Sequence, residues 1–229
     1  NDTMSAEIFN LFVVFLKLYK WGSIRKILSK FKVRWYEKRL LKYVGYVMSN
    51  SQFTTKTLEK KYSMNSNNIF TIYKSVDVAK FKTENIQYNS SSYNLLFVGH
   101  DYTRKGLFSL LASLSSIKHL LNMKLSIVGP NNEKDINKIK HYADNHNLLD
   151  VILFKGAMSR ENIIREFQNH DLFVMPTFQE NFGVVYLEAM ASGLPVIGSK
   201  VGGVPEIIKH NWNGILVNPN NPHDISDSI

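Results

Sequence analysis

From Tyr93 onward the chain alternates short apolar runs with longer amphipathic stretches, and few architectures accept that pattern. The runs at Asn94–Gly99, Lys124–Gly129, Val151–Lys155, Leu172–Pro176, Pro195–Gly198 and Gly214–Val217 read as strands. Between them, Lys105–Leu121, Glu133–His146, Arg160–Asn169 and Val184–Ala191 place apolar residues at helical spacing. Strands that are apolar on both faces and joined by helices pack as a parallel, doubly wound sheet of the α/β class. Ligands of such sheets bind beyond the carboxyl ends of the strands. The loops to search therefore follow Gly99, Gly129, Lys155, Pro176 and Gly198.

Two of those loops carry chemistry. Gly99-His100-Asp101-Tyr102-Thr103-Arg104-Lys105-Gly106 ends one strand and opens a helix. The glycine lets backbone approach a ligand, and Arg104 and Lys105 set two cations beside a helix N-terminus, a combination that favours a diphosphate. The spacing is neither that of a Walker loop nor that of a dinucleotide fingerprint. Further along, Glu180 and Glu188 lie eight residues apart, with Asn181-Phe182-Gly183-Val184 following the first. Glu180 falls in the loop that enters a helix and Glu188 in its first turns, so both can face a pocket at the helix N-terminus. Ionised carboxylates only accept hydrogen bonds, which suits them to hydroxyl-rich ligands such as a sugar or a ribose. Isolated surface glutamates in salt bridges are the plain alternative, and a hydrolase could also use two carboxylates. Nothing in hydrolysis asks for Arg104-Lys105-Gly106.

The chain before Tyr93 is of another kind. Residues 1–62 carry 13 Lys and Arg against 4 Asp and Glu, whereas residues 63–229 carry 15 of each, so the whole formal excess of +9 lies in the first part. Ile8–Leu18 is nearly all apolar but shorter than the roughly 20 residues that span a bilayer. Basic residues from Lys17 to Lys42 follow, interleaved with Trp21, Phe31, Trp35 and Tyr36. Residues 8–42 thus suit an anionic membrane surface, or else form helices that cover a neighbouring sheet with their basic side solvated; both readings stay open. No groove-reading motif accompanies the charge, so nucleic acid is not the expected partner. Tyr46–Ser49 and Ile69–Tyr73 read as strands and Thr54–Tyr62 as a helix begun by Ser51 or Thr54. Asp77–Ser92 is polar and without a clear period, which divides the chain into residues 1–76, a linker at 77–92 and residues 93–229. With no cysteine, disulfides, zinc-thiolate sites and a cysteine nucleophile are excluded. The remaining histidines show no ligand spacing, and no metal site is expected.

Val98-Gly99 with Arg104-Lys105-Gly106, then the Glu180–Ile197 stretch, then Gly202-Gly203-Val204-Pro205-Glu206-Ile207-Ile208 and Asn213-Gly214-Ile215-Leu216-Val217, resemble the C-terminal half of the family 4 (group 1) retaining glycosyltransferases. Val47–Ser51 and Ile69–Phe81 resemble the last strand and linker of that family's first domain. The resemblance implies the GT-B fold, with residues 93–229 as the nucleotide-sugar-binding Rossmann-like domain and residues 1–76 as a partial acceptor-side one, N-terminally incomplete. It implies retaining transfer of a hexose from a UDP-, GDP- or ADP-sugar to a lipid-linked or polysaccharide acceptor, without metal or cofactor. The setting it implies is the cytoplasm, peripheral on the inner face of the cell membrane. Arg104 and Lys105 would hold the diphosphate, near Gly99 and His100, and His100 stands where many relatives have arginine. Glu180 would take hydroxyls of the transferred sugar, with Asn181 and the Phe182, Gly183 and Val184 backbone near the phosphate. Glu188 would take the ribose and Ala157-Met158 the base. The alternative is a truncated module that binds a nucleotide sugar without transferring it.

Overall fold

The computed structural model describes residues 35–41, 43–81 and 92–229. Apart from residues 35–41, the segment expected to meet a membrane lies outside the described residues. No helix among the described residues is long and apolar enough to cross a membrane. The described residues fall into two compact units, one holding residues 35–41, 43–47 and 58–69, the other residues 48–57, 70–81 and 92–229. In the first, residues 35–41 are helical, the Arg39 guanidinium lies 5.3 Å from the centre of the Trp35 ring, and the Tyr62 hydroxyl donates to Glu37 Oε2 at 2.5 Å.

Strands β1 (Val47–Ser49) and β2 (Ile69–Thr71) pair in a two-stranded sheet, and α1 (Gln52–Tyr62) lies between them in sequence. The helix opens where Ser51 Oγ accepts from the Thr54 N–H at 3.0 Å, so Ser51 rather than Thr54 is its cap. Ser49, Thr55 and Thr71 join hydroxyls behind it, with Thr55 Oγ1 at 2.5 Å from Ser49 and 2.6 Å from Thr71. The segment expected as a polar linker begins instead with a turn of helix, α2 (Val78–Phe81). Its reason is Phe81, which is 1% exposed and packs into the main core.

The main sheet has six parallel strands, as the alternation requires: β3 (Tyr93–Val98), β4 (Met123–Val128), β5 (Ile152–Gly156), β6 (Leu172–Val174), β7 (Val196–Ser199) and β8 (Ile215–Val217). Their spatial order is β5-β4-β3-β6-β7-β8. Helices α3 (Leu107–Ile117), α4 (Glu133–Asn145), α5 (Arg160–Gln168), α6 (Val184–Ala191), α7 (Val204–Ile207) and α8 (Pro222–Ser226) complete it. Boundaries shift from the sequence reading by a residue or two at most strands, and β6 stops before Pro176, which has no amide to donate. Helix α3 is shorter than expected at both ends, because Arg104-Lys105-Gly106 turns before entering it. The short helices α7 and α8 have no counterpart in the sequence reading.

Strand order reverses between β3 and β6, which sit side by side although 73 residues lie between Val98 and Leu172 in sequence. That reversal is the point at which a doubly wound sheet leaves a crevice.

Candidate functional site

The crevice is built by the two loops that leave β3 and β6. Helices α4 and α5 begin with a side-chain cap: Asn132 Oδ1 accepts from the Asp135 N–H at 2.9 Å for α4, and Ser159 Oγ from the Asn162 N–H at 3.3 Å for α5. Helices α3 and α6 do not. Each starts at a left-handed glycine, Gly106 (φ 80°) and Gly183 (φ 102°), with no side-chain cap. The Leu107 N–H that opens α3 donates to Tyr102 O at 2.9 Å and the Tyr186 N–H of α6 to Gly183 O at 3.0 Å, so it is the other first-turn amides, with the positive end of the dipole, that these termini offer a ligand.

The β3 loop carries the cations. Gly99 leaves room for the stem of Lys105, since a Cβ there would sit 3.2 Å from Lys105 Cγ. Lys105 is buried and its Nζ donates to Glu180 Oε2, a carboxyl on the opposite loop that is itself mostly covered. Arg104 is half-exposed: Nε donates to Asp101 Oδ2 at 3.2 Å and Nη1 to Gln179 O at 3.2 Å. Asp101 is held below the ordinary carboxylate range, chiefly by the Arg104 backbone N–H and then by its guanidinium. His100 is exposed, with Nε2 3.5 Å from Arg104 Nη2.

The β6 loop is stitched to its neighbours by backbone. Arg104 O accepts from the Phe178 N–H at 2.9 Å and lies 3.1 Å from Thr177 Oγ1. Gly106 approaches this loop so closely that any Cβ would overlap Pro176 O. Glu180 O accepts from the Gly203 N–H at 3.1 Å, and a Cβ on Gly202 (φ 59°) would overlap that same carbonyl. Glu180 Oε1 accepts from the Asn181 N–H at 3.1 Å, while the Asn181 side chain is exposed. Phe182 is buried and its ring stacks on Tyr73 at 5.5 Å, and Val184 is the first residue of α6.

Glu188 stands apart from this group. It lies in the second turn of α6, is mostly buried, and meets Arg160 Nη2 at 3.6 Å instead of Lys105. Burial raises its pKa and the Arg160 charge opposes the rise. Arg160 opens α5 just past exposed Ala157, half-buried Met158 and the cap Ser159, so this contact joins the end of the β5 loop to α6. The structure therefore brings Arg104, Lys105 and residues 180–184 onto facing loops, and it sets Glu188, Ala157 and Met158 on one adjoining flank.

Sequence reasoning passed over Thr177, Arg160, Tyr73 and Glu206. Arg160 could have been found, since it follows the expected base loop at once. Tyr73 and Glu206 find their partners at residues more than 100 positions away, which no local pattern reveals.

Residues 78–229 match the family model described as glycosyl transferases group 1. An uncharacterized glycosyltransferase of Methanocaldococcus jannaschii is 36% identical over 132 residues, 58% of this chain and 33% of that protein. A D-inositol 3-phosphate glycosyltransferase of Paenarthrobacter aurescens is 30% identical over 142 residues, 60% of this chain and 35% of that protein. The match thus spans about a third of each curated relative. Among solved structures, Anabaena HepE in complex with UDP-glucose superposes with a TM-score of 0.71 at 22% identity, over 80% of this chain and 52% of that one. That likeness is one of fold, the GT-B type with its parallel α/β sheet.

Proposed function

The chain belongs to the group 1 glycosyl transferases, and we propose that it moves a hexose from a nucleoside diphosphate sugar to a lipid-linked or polysaccharide acceptor with retention of configuration. One observation carries the reading. Two helices whose N-termini carry no side-chain cap flank a buried lysine at the strand-order reversal, and that lysine is paired with an acid on the facing loop. A diphosphate satisfies both termini and competes with Glu180 for Lys105. The UDP-glucose held by HepE supports a nucleotide-sugar donor, UDP among the UDP, GDP and ADP forms considered.

In this reading Arg104 and Lys105 meet the diphosphate beside Gly99, His100 and the Phe182-Gly183-Val184 backbone. Glu180 accepts from hydroxyls of the sugar and Glu188 from those of the ribose, while Ala157 and Met158 border the base. The bond from the sugar's anomeric carbon to the diphosphate breaks, and an acceptor hydroxyl bonds to that carbon on the same face. Its proton passes to the departing phosphate oxygen. Negative charge grows on that oxygen, and Arg104, Lys105 and the α3 and α6 amides stabilise it because they are already in position. These cations supply the charge that a divalent metal supplies elsewhere, so the reaction needs none. The basic and aromatic residues 8–42 hold the enzyme to an anionic surface on the cytoplasmic face of the membrane.

The test is calorimetric titration and thermal shift with UDP-, GDP- and ADP-sugars on the parent, Lys105→Ala and Glu188→Ala. The best donor should raise the melting temperature of the parent, and each variant should bind it about tenfold more weakly or worse. Equal protection of all three proteins would overturn the assignment. Radiolabelled sugar transferred to membrane extracts separates a transferase from a protein that only binds.

A further inference from the structure

Glu206 belongs to the one-turn helix α7 that follows Gly202-Gly203. Its carboxylate accepts from the first two amides of α1, Oε2 from the Gln52 N–H at 2.7 Å and Oε1 from the Phe53 N–H at 2.8 Å. Such amides have no acceptor inside their own helix, and the first turn of α1 contains no acid to supply one. A carboxylate more than 150 residues away does so, with charge-assisted bonds to fixed backbone in place of a mobile surface partner.

The same turn of chain reaches the crevice. The Glu206 N–H donates to Gly203 O at 3.1 Å, and the Gly203 N–H donates to Glu180 O at 3.1 Å. A second route runs through side chains. The Glu206 carboxylate lies near enough to the Tyr73 hydroxyl to raise its pKa, and the Tyr73 ring stacks on buried Phe182 at 5.5 Å with 27° between the planes. Both routes end on residues 180–183, the segment that carries Glu180 and leads into the open terminus of α6. A loop held at two points by groups outside itself keeps its geometry before any ligand arrives.

We infer that Glu206 is a positioning residue for the donor site, fixing the 180–183 loop against the start of α1 and against Tyr73 without itself touching the donor. The inference rests on the donor-site reading above. It gives the Glu of Gly-Gly-Val-Pro-Glu a role distinct from that of Glu180 and Glu188: the first sets the frame, the other two grip hydroxyls.

Calorimetric titration of the 229-residue chain with UDP, GDP and ADP, alongside melting temperatures, tests it on the parent, Glu206→Gln, Glu206→Ala, Tyr73→Phe and Tyr73→Ala. Asn132→Ala, a cap of α4 outside the crevice, serves as a variant that loses stability alone. For the best-bound nucleotide, Glu206→Ala and Tyr73→Ala should each weaken binding about fivefold to tenfold in the folded protein. Tyr73→Phe keeps the ring stack on Phe182 but loses the hydroxyl beside Glu206, so its binding should fall between that of the parent and that of Tyr73→Ala, and the double variant of Glu206→Ala with Tyr73→Ala should lose less than the product of the two. If the Glu206 variants fail to fold, the two Tyr73 variants decide the matter by the same criterion. Binding equal to that of the parent, or weakened no more than in Asn132→Ala, would overturn the inference and leave the functional reading intact. A parent that binds none of the three nucleotides would overturn both.

Discussion

The two halves of the main sheet are built by different means. Strands β3, β4 and β5 run six, six and five residues, and α3 and α4 run 11 and 13. Strands β6, β7 and β8 run only three, four and three, with α6, α7 and α8 at eight, four and five. The first half is held by long regular elements that repeat their packing, with β3 and β4 in register over six residues and one register shift between β4 and β5 at Ile127/Val128. In the second half loops bind loops: Ser199 Oγ donates to Thr177 O at 2.6 Å, and the Gly203 N–H donates to Glu180 O. Shortening the regular elements frees residues for the loops, and close backbone approach at glycine replaces periodic packing as the source of order. The contrast shows where a fold of this kind can place a site with defined geometry.

The sharpest way to break that comparison is to damage each half by a similar amount. Gly202→Ala puts a Cβ into Glu180 O at a positive φ, and it should cost about 2–4 kcal/mol and weaken nucleotide binding in whatever protein remains folded. Ile139→Ala empties a fully buried site on α4, and it should cost about 2–5 kcal/mol while leaving the binding constant of the folded protein unchanged. Denaturant melts paired with titration measure both. Equal losses of affinity would mean that the halves are mechanically one.

A smaller effect isolates the caps. Asn132→Ala removes the acceptor for the Asp135 N–H and should lower stability by about 1 kcal/mol with no change in nucleotide affinity. Loss of affinity there would show that the capped helices also set the crevice.

The first half was the more legible in sequence for the same physical reason. Uniform strands and amphipathic helices leave a periodic trace, and α4 and β4 fall within about a residue of their expected bounds. In the second half α6 was legible at both ends, yet α7 and α8 were not, because four- and five-residue helices leave too few repeats to register. Phe81 was missed in a polar stretch because one buried side chain makes no pattern. Within the crevice, residue type and spacing at the strand ends pointed to Arg104, Lys105 and Glu180. What spacing alone could not give was pairing. Glu180 meets Lys105 and Glu188 meets Arg160, so the two acids do not share one cation, and the contacts of Glu206 depend on which distant segment packs against it.

The two acids differ in the cover of their partners, and pH separates them. Lys105 is buried against Glu180, whereas Arg160 is largely exposed beside Glu188. Burial raises the pKa of Glu188 above its value in the unfolded chain, and Arg160 holds part of that rise back. A carboxyl with a raised native pKa stabilises the fold fully below the unfolded value, where both states carry the proton. That contribution is lost as pH climbs through the native pKa, where the buried acid must ionise. Removing the opposing charge carries the native pKa higher and deepens the loss near neutrality. Arg160→Ala should therefore lower the melting temperature more at pH 7 than at pH 4, by roughly one or two degrees, since an exposed partner is screened. In a Glu188→Gln background, which cannot ionise, the same substitution should show no such pH dependence. A pH-independent effect of Arg160→Ala in the parent would mean that α6 holds Glu188 unaided, and the flank beside the crevice would then be as self-sufficient as the loops around Lys105.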